Sequence, residues 1–225
     1  MDKYNVYQDI SKRTGGELFF GVVGPVRTGK STFIKKFMEL IVLPEIQNPD
    51  EKQRTIDELP QSASGRLVMT TEPKFIPKQG AKITFLNKET GKIRLIDCVG
   101  FLVPGAVDSV DEQERMVRTP WDDNEIPFSK AAAIGTEKVI HDHSNVGIVV
   151  TSDGSFGELR RENFEEAERE TVAHCYKANK PFVIILNTIT PHADETRELC
   201  ERMEQKYGKK VLPLNIKEMQ KMDID

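Results

Sequence analysis

The 225-residue chain lacks most of what would place it outside the cell or across a membrane. It has only three cysteines, Cys98, Cys175 and Cys200. That number is too small and odd for a disulfide framework, and it points to a reducing cytoplasm. No run reaches the roughly 18 consecutive apolar residues that a membrane span requires, and Met1-Asp2-Lys3-Tyr4 opens no signal peptide. A basic surplus is also missing: 32 Lys and Arg face 36 Asp and Glu, a net charge of −4, so nucleic acid is not favoured by bulk electrostatics. Fixed-period repeats and low-complexity tracts are absent. What remains, 38% hydrophobic and 30% charged residues with a mean hydropathy of −0.46, is the composition of a soluble folded protein.

Hydrophobic patterning then sets the order of elements. Leu18-Phe19-Phe20-Gly21-Val22-Val23 is a short, almost continuous apolar run, as expected of a strand buried on both faces. Phe33, Phe37, Leu40 and Ile41 fall on one helix face, and Pro44 stops the helix. Ala81-Lys82-Ile83-Thr84-Phe85-Leu86 alternates, meets the turn-rich Asn87-Lys88-Glu89-Thr90-Gly91, and gives way to Ile93-Arg94-Leu95-Ile96-Asp97. That pair reads as an antiparallel hairpin. Helices and strands alternate afterwards: helix over 129–143, strand over 146–151, helix over 162–178, strand over 182–186, helix over 194–207, strand over 211–214 and a last helix over 217–222. The order predicts an α/β fold with a mostly parallel sheet, one antiparallel hairpin strand and helices on both faces. Residues 1–17 read as a lead-in and 18–225 as one domain.

Two connections exceed the usual four to six residues. Pro44 to Thr71 leaves room for a short helix capped by Asn48, with Pro49 in its first position. Gly100 to Phe128 carries Pro104, Pro120, Pro127 and the only tryptophan, Trp121. Such long loops tend to carry function.

Between the first strand and the first helix stands Gly24-Pro25-Val26-Arg27-Thr28-Gly29-Lys30-Ser31, a full match to G-x-x-x-x-G-K-[ST] in the strand-then-helix context that confirms it. Gly24 and Gly29 permit backbone angles and close approaches that a Cβ would block. The amides of Val26, Arg27, Thr28, Gly29, Lys30, Ser31 and Thr32 can then point into one concavity at a helix end carrying partial positive charge. Lys30 brings a full charge to the β- and γ-phosphates, and the Ser31 hydroxyl can ligate Mg²⁺. The pattern identifies a P-loop nucleotide site.

Asp97-Cys98-Val99-Gly100 ends the third predicted strand. There Asp97 can hold Mg²⁺ through a water and the Gly100 amide can meet the γ-phosphate. Met69-Thr70-Thr71-Glu72-Pro73 closes the first long loop. A threonine at that point can offer its hydroxyl to Mg²⁺ and its amide to the γ-phosphate, sensing that phosphate; Thr70 and Thr71 are equal candidates. Cradle, threonine loop, antiparallel hairpin and D-x-x-G, in that order, resemble the Ras-like translation-factor class of nucleotide hydrolases. Two departures matter. Asn187-Thr188-Ile189-Thr190 stands where that class has N-K-x-D: Asn187 matches, while the lysine and the aspartate that reads guanine are missing. The two guanine donors would lose their carboxylate, at about 1–3 kcal/mol for an unpaired polar edge, which favours ATP and leaves GTP as the alternative. The residue after D-x-x-G is Phe101 instead of a water-orienting glutamine, so slow hydrolysis is expected of the isolated chain. Arg27 is a candidate in-cis cation on transition-state charge.

Other residues read as structural. His141 and His143, two apart, point away from each other on a helix; His174 and His192 stand alone. Cys98 reads as core packing, and Cys175 and Cys200 have no metal-ligand spacing. Arg160 to Glu168 reads as a solvated helix face, and Trp121 is either a partner anchor or packed on its own loop.

Further stretches narrow the resemblance. Arg13-Thr14-Gly15-Gly16, Arg27 to Leu40, Asp57-Glu58-Leu59-Pro60-Gln61-Ser62, Met69-Thr70-Thr71-Glu72-Pro73-Lys74-Phe75, Asp97-Cys98-Val99-Gly100 and Val103-Pro104-Gly105-Ala106 resemble the stage IV sporulation protein A family of endospore-forming Firmicutes. The resemblance implies a cytoskeletal ATPase of the spore coat basement layer, in the mother-cell cytoplasm at the outer forespore membrane. It implies ATP as substrate and Mg²⁺ as cofactor, Lys30 as the phosphate lysine, Asp97 on the Mg²⁺ side, and Thr70 and Thr71 as sensors, with hydrolysis driving a conformational change that licenses self-assembly. Implied partners are further copies of the protein, a small amphipathic membrane-anchoring sporulation peptide and other coat proteins, with no nucleic acid. Family members are longer, so the chain reads as their nucleotide domain. A regulatory GTPase and a nucleotide-stabilised structural module remain the alternatives.

Overall fold

A computed structural model of the protein describes residues 15–60, 72–84, 90–106 and 115–224. The chain runs β1 (Glu17–Val23), α1 (Lys30–Phe37), α2 (Pro49–Asp57), β2 (Lys74–Thr84), β3 (Thr90–Asp97), β4 (Met116–Thr119), β5 (Asp122–Pro127), α3 (Phe128–Lys138), β6 (Val146–Ser152), α4 (Arg161–Lys177), β7 (Phe182–Asn187), α5 (Asp194–Tyr207) and β8 (Val211–Leu214). The apolar run at the start is β1, inside a six-stranded sheet ordered β2-β3-β1-β6-β7-β8. Every pairing in it is parallel except β2 with β3.

Strand alternation sends neighbouring residues to opposite faces, and each face has its own core. Val22, Leu95, Val150 and Ile185 pack with Phe33, Ile34 and Met38 on the α1 side. Val23, Ile96, Val149 and Ile184 pack with Val139, Val172, Cys175 and Met203 on the side of α3, α4 and α5. Burial on both faces is why these strands read as continuous apolar runs. Each such side chain stabilises the fold by about 1.5–3 kcal/mol. Among the described residues, no helix is long and apolar enough to cross a membrane.

Helix boundaries follow local chemistry. α1 continues through a π-helical turn, Met38–Val42, and ends before Pro44. The Asn48 side chain accepts from the Asp50 and Glu51 amides at 2.8 and 3.1 Å, with Pro49 in the first position of α2. α3 continues through a second π-helical turn, Val139–His143.

Three segments depart from expectation. The first hairpin strand begins at Lys74 instead of Ala81, because a register shift between Ile76 and Ala81 interrupts its alternation. Pro77 and Gly80 fall in that interval, and an edge strand tolerates a residue without an N–H. The second long connection holds a two-stranded hairpin, β4 with β5; its strands are short and flank Pro120, so no hydrophobic pattern reveals them. The final segment forms two 3₁₀ turns, Ile216–Glu218 and Lys221–Asp223, in place of a helix over 217–222. Met219 between them is non-helical (φ −53°, ψ 134°) and buried, and seating it in the core next to Ile216 breaks the helical path.

A buried polar network joins the second face to the C-terminal end of β6. The Glu168 carboxylate is fully buried. It accepts from Arg161 Nη1 and Nη2 (2.5 and 2.8 Å), from the Thr151 hydroxyl (2.7 Å) and from the Tyr207 hydroxyl (2.7 Å). Burial pushes its pKa up, but the Arg161 fork and the two hydroxyls outweigh this and hold it below the usual carboxylate range. A depressed carboxyl pKa contributes stability above the unfolded-state pKa and loses it as pH falls through the folded-state value. Glu168→Ala, which leaves the Arg161 guanidinium uncompensated, should cost about 3–5 kcal/mol in urea denaturation. Glu168→Gln should flatten the fall in stability between neutral and acidic pH.

Candidate functional site

The site forms where β1 and β3 end side by side. After Val23 the chain turns at Gly24 with φ 137°, where a Cβ would collide with the Val150 carbonyl oxygen of β6. Pro25 bridges to Phe101, and the Val26 amide donates to the Phe101 carbonyl at 2.9 Å. Inside the turn the Thr28 hydroxyl and the Lys30 ammonium both donate to the Pro25 carbonyl, at 2.9 and 2.6 Å. Gly29, φ 95°, starts α1 without a side-chain cap, and no acidic residue lies in the first turn. The first amides of α1 therefore keep donors and dipole for an anion.

Opposite this turn, Asp97 ends β3. The Ser31 hydroxyl donates to Asp97 Oδ2 at 2.9 Å, while Asp97 Oδ1 is buried with no partner among the described residues. Gly100, φ 92°, presses on the Gly24 carbonyl and the Lys30 ammonium so closely that a Cβ would strike both. Burial lowers the Lys30 pKa and raises that of Asp97; burial likewise drives the Cys98 thiol up to about 11. A carboxylate oxygen without a partner beside a serine hydroxyl is a hard-oxygen donor set that suits Mg²⁺. The residues fit the ion that the motif implies.

A family model described as stage IV sporulation protein A, ATPase domain, matches residues 1–225. Curated relatives named stage IV sporulation protein A are 48% identical over 225 residues in Bacillus anthracis and 49% identical over 222 residues in Clostridioides difficile. The chain belongs to this sporulation ATPase-domain family. The alignments cover 100% and 98% of the chain but 46% and 45% of those relatives, so the chain spans about half the length of the curated relatives it matches. A solved variant of SsGBP has the same fold, with a TM-score of 0.50 at 16% identity, covering 96% of this chain and 55% of that one.

The sporulation ATPase domain brings together Gly24, Val26, Arg27, Thr28, Gly29, Lys30, Ser31, Thr32, Asp97 and Gly100 around one turn. Thr70 and Thr71 lie outside the described residues. Asn187, at the end of β7, donates through Nδ2 to the Thr28 carbonyl (3.0 Å) and accepts through Oδ1 from the Ile216 amide (3.2 Å). It braces the cradle against the last turns of the chain. No carboxylate stands at position 190; the Thr190 amide donates to the Thr188 hydroxyl. Phe101 is buried with Val26, Val103 and Phe164. Its ring stacks on His174 at 5.6 Å and 24°, turned into the core and unable to align a water.

His174 does not stand alone, contrary to expectation. Its Nδ1 lies 3.4 Å from His141 Nε2, and its Nε2 lies 3.6 Å from Glu137. Thirty-three residues separate the two rings, so no local spacing announces them. No group of three or more His, Cys, Asp or Glu able to hold a metal occurs among the described residues. Trp121 is half-buried, with the Lys138 ammonium of α3 6.0 Å from its ring centre.

A raised carboxyl pKa means that stability falls as pH rises through the carboxylate range, because the folded state holds the proton more tightly. Asp97→Asn should therefore raise the urea midpoint of the nucleotide-free protein at neutral pH. The gain should vanish below about pH 4, where the carboxyl is protonated in both states.

Proposed function

We propose that the chain binds Mg²⁺ and ATP and hydrolyses the β–γ phosphoanhydride, and that in the longer protein this reaction licenses self-assembly on the forespore surface. The observation that carries the chemistry is the Ser31–Asp97 pair with its orphaned carboxylate oxygen, set beside the buried Lys30 ammonium in a turn whose helix has no side-chain cap. The family assignment supports the substrate and the sporulation role.

Each step follows from the residues in place. Among the described residues the Lys30 ammonium has only a neutral carbonyl as acceptor. Triphosphate oxygens are charged acceptors, and a charge-assisted bond is roughly twice as strong as a neutral one. The anion also offsets the burial that depresses the Lys30 pKa. The amides at the start of α1 orient the phosphates along the helix axis. Ser31 and Asp97 would hold Mg²⁺, which supplies charge neutralisation for the β- and γ-oxygens. The Gly100 amide would meet the terminal phosphate, on a residue whose Cα lies against the Lys30 side chain. The position that orients water in Ras-like enzymes is here a buried phenylalanine, so hydrolysis is slow in the isolated chain. Thr70 and Thr71 are our candidates for sensing the γ-phosphate. With no carboxylate at position 190, guanine would lose the partner that this position gives its two donors in Ras-like enzymes, which favours adenine. In the longer protein we place this switch in the mother-cell cytoplasm, acting with other copies, a membrane-anchoring peptide and coat proteins.

With Mg²⁺ and ATP at about a hundred times Kd, the midpoint of thermal unfolding should rise by about 5–11 °C, corresponding to about 2.7 kcal/mol. Lys30→Ala should abolish that rise with the fold intact by circular dichroism. A rise with GTP and none with ATP would favour the regulatory GTPase reading. Binding without phosphate release would make it a structural module. Thr70→Ala and Thr71→Ala should keep ATP affinity and lose turnover in a phosphate-release assay; unchanged turnover in both would remove the sensor role.

A further inference from the structure

Arg27 holds a backbone conformation that its side chain does not favour. Two non-glycine residues among the described residues have positive φ, Arg27 at 60° and Asn179 at 51°. Asparagine relieves that conformation by local hydrogen bonding of its short amide. Arginine has no such relief, and glycine would make the same turn without strain. The cradle already uses glycine at 24 and 29, so an arginine stands where backbone geometry by itself favours a third.

The neighbours impose the conformation. The Val26 amide is fixed to the Phe101 carbonyl, the Thr28 hydroxyl to the Pro25 carbonyl, and the Thr28 carbonyl to Asn187. Val26 and Thr28 are buried, whereas Arg27 is exposed, so it forms the outward apex of the turn. Its guanidinium makes no hydrogen bond or ion pair among the described residues. Strain over-determined by surrounding structure clusters at active sites and ligand clamps. A free, rigidly based guanidinium on the rim of a phosphate cradle has one chemical use there, a planar fork for phosphoryl oxygens.

We infer that Arg27 is a catalytic residue, its guanidinium pairing with the β–γ bridging and terminal oxygens as charge develops on them in the transition state, and not with the resting triphosphate. The inference rests on the nucleotide reading above. In the step it serves, a water oxygen bonds to the γ-phosphorus as the bond to the β–γ bridging oxygen breaks. The electron pair leaves on that oxygen with ADP. One water proton stays on the released phosphate and the other passes to solvent. Charge gathers on the bridging and terminal oxygens as this happens. Lys30 is held deep in the turn and Phe101 offers nothing polar, so the added cation comes from the rim of the same loop.

Arg27→Gly separates the roles, because it removes the charge while relieving the strain. Three quantities should be measured on the native chain, Arg27→Gly and Arg27→Lys: affinity for a non-hydrolysable ATP analogue, single-turnover phosphate release at saturating ATP and Mg²⁺, and capture of ADP with aluminium fluoride. Arg27→Gly should unfold at an equal or higher temperature and bind the analogue within about threefold of native. Its single-turnover rate should fall by about 10³-fold, and capture of the aluminium fluoride complex should weaken in parallel. Arg27→Lys should recover less than about a tenth of the lost rate, since an ammonium cannot reproduce the planar fork. Turnover within about threefold of native in Arg27→Gly would overturn the assignment while leaving the ATPase reading intact. Unchanged turnover with greatly weakened analogue binding would make Arg27 a ground-state ligand and overturn it equally. A native chain that binds no adenine nucleotide would overturn the nucleotide reading, and this assignment with it.

Discussion

The site depends on one crowded contact. The Lys30 ammonium, buried and donating to the Pro25 carbonyl, lies under Gly100, which in turn abuts the Gly24 carbonyl. Three stretches of backbone meet there with no space for a Cβ on either glycine. The turn after β1 is thereby held against the end of β3, and the Asp97 carboxylate comes within hydrogen-bonding distance of Ser31. Both charges sit where burial disfavours them, since the Lys30 pKa is lowered and that of Asp97 raised. A divalent cation and a polyanion are the ligands that reverse both penalties together, which ties the electrostatics of the site to its chemistry.

The surrounding structure exists to hold that contact still. β1 and β3 are adjacent and parallel, so their C-terminal ends open at the same level of the sheet. Cores on both faces clamp them there. Below the turn, β6 supplies the carbonyl that excludes a side chain at position 24, and the Glu168 network anchors the end of β6 to α4 and α5. On the remaining side Asn187 links the Thr28 carbonyl to the Ile216 amide. That single amide makes the last turns of the chain part of the nucleotide site's support.

Sequence and structure agree where a residue's role is local. The buried strands, the two faces of helices, the cap at Asn48 and the octapeptide cradle all follow from side-chain periodicity and turn chemistry over a few residues. They disagree where distant groups compete for one place. The β4–β5 hairpin lacks hydrophobic alternation, so its pairing rests on backbone bonds that composition does not signal. Residues 217–222 break into 3₁₀ turns because Met219 enters a core built by segments far earlier in the chain. His174 meets His141 and Phe101 only through the packing of α4 on the turn after α3.

From its residues alone, the protein had to possess a phosphate cradle of Gly24, Gly29, Lys30 and Ser31 between a buried strand and a helix, since a contiguous turn encodes its own backbone angles. Those residues also specified the loss of the guanine-reading carboxylate and of the water-orienting side chain, because absence of a chemical group is visible without a fold. Tertiary structure decided the rest: that Asn187 braces the loop, that Phe101 turns inward, that Arg27 is held in a left-handed turn, and that among the described residues one oxygen of Asp97 and the Arg27 guanidinium have no partner. Each of these depends on the distance between segments remote in the chain. Only the packed sheet, burying its apolar strands on both faces, sets those distances.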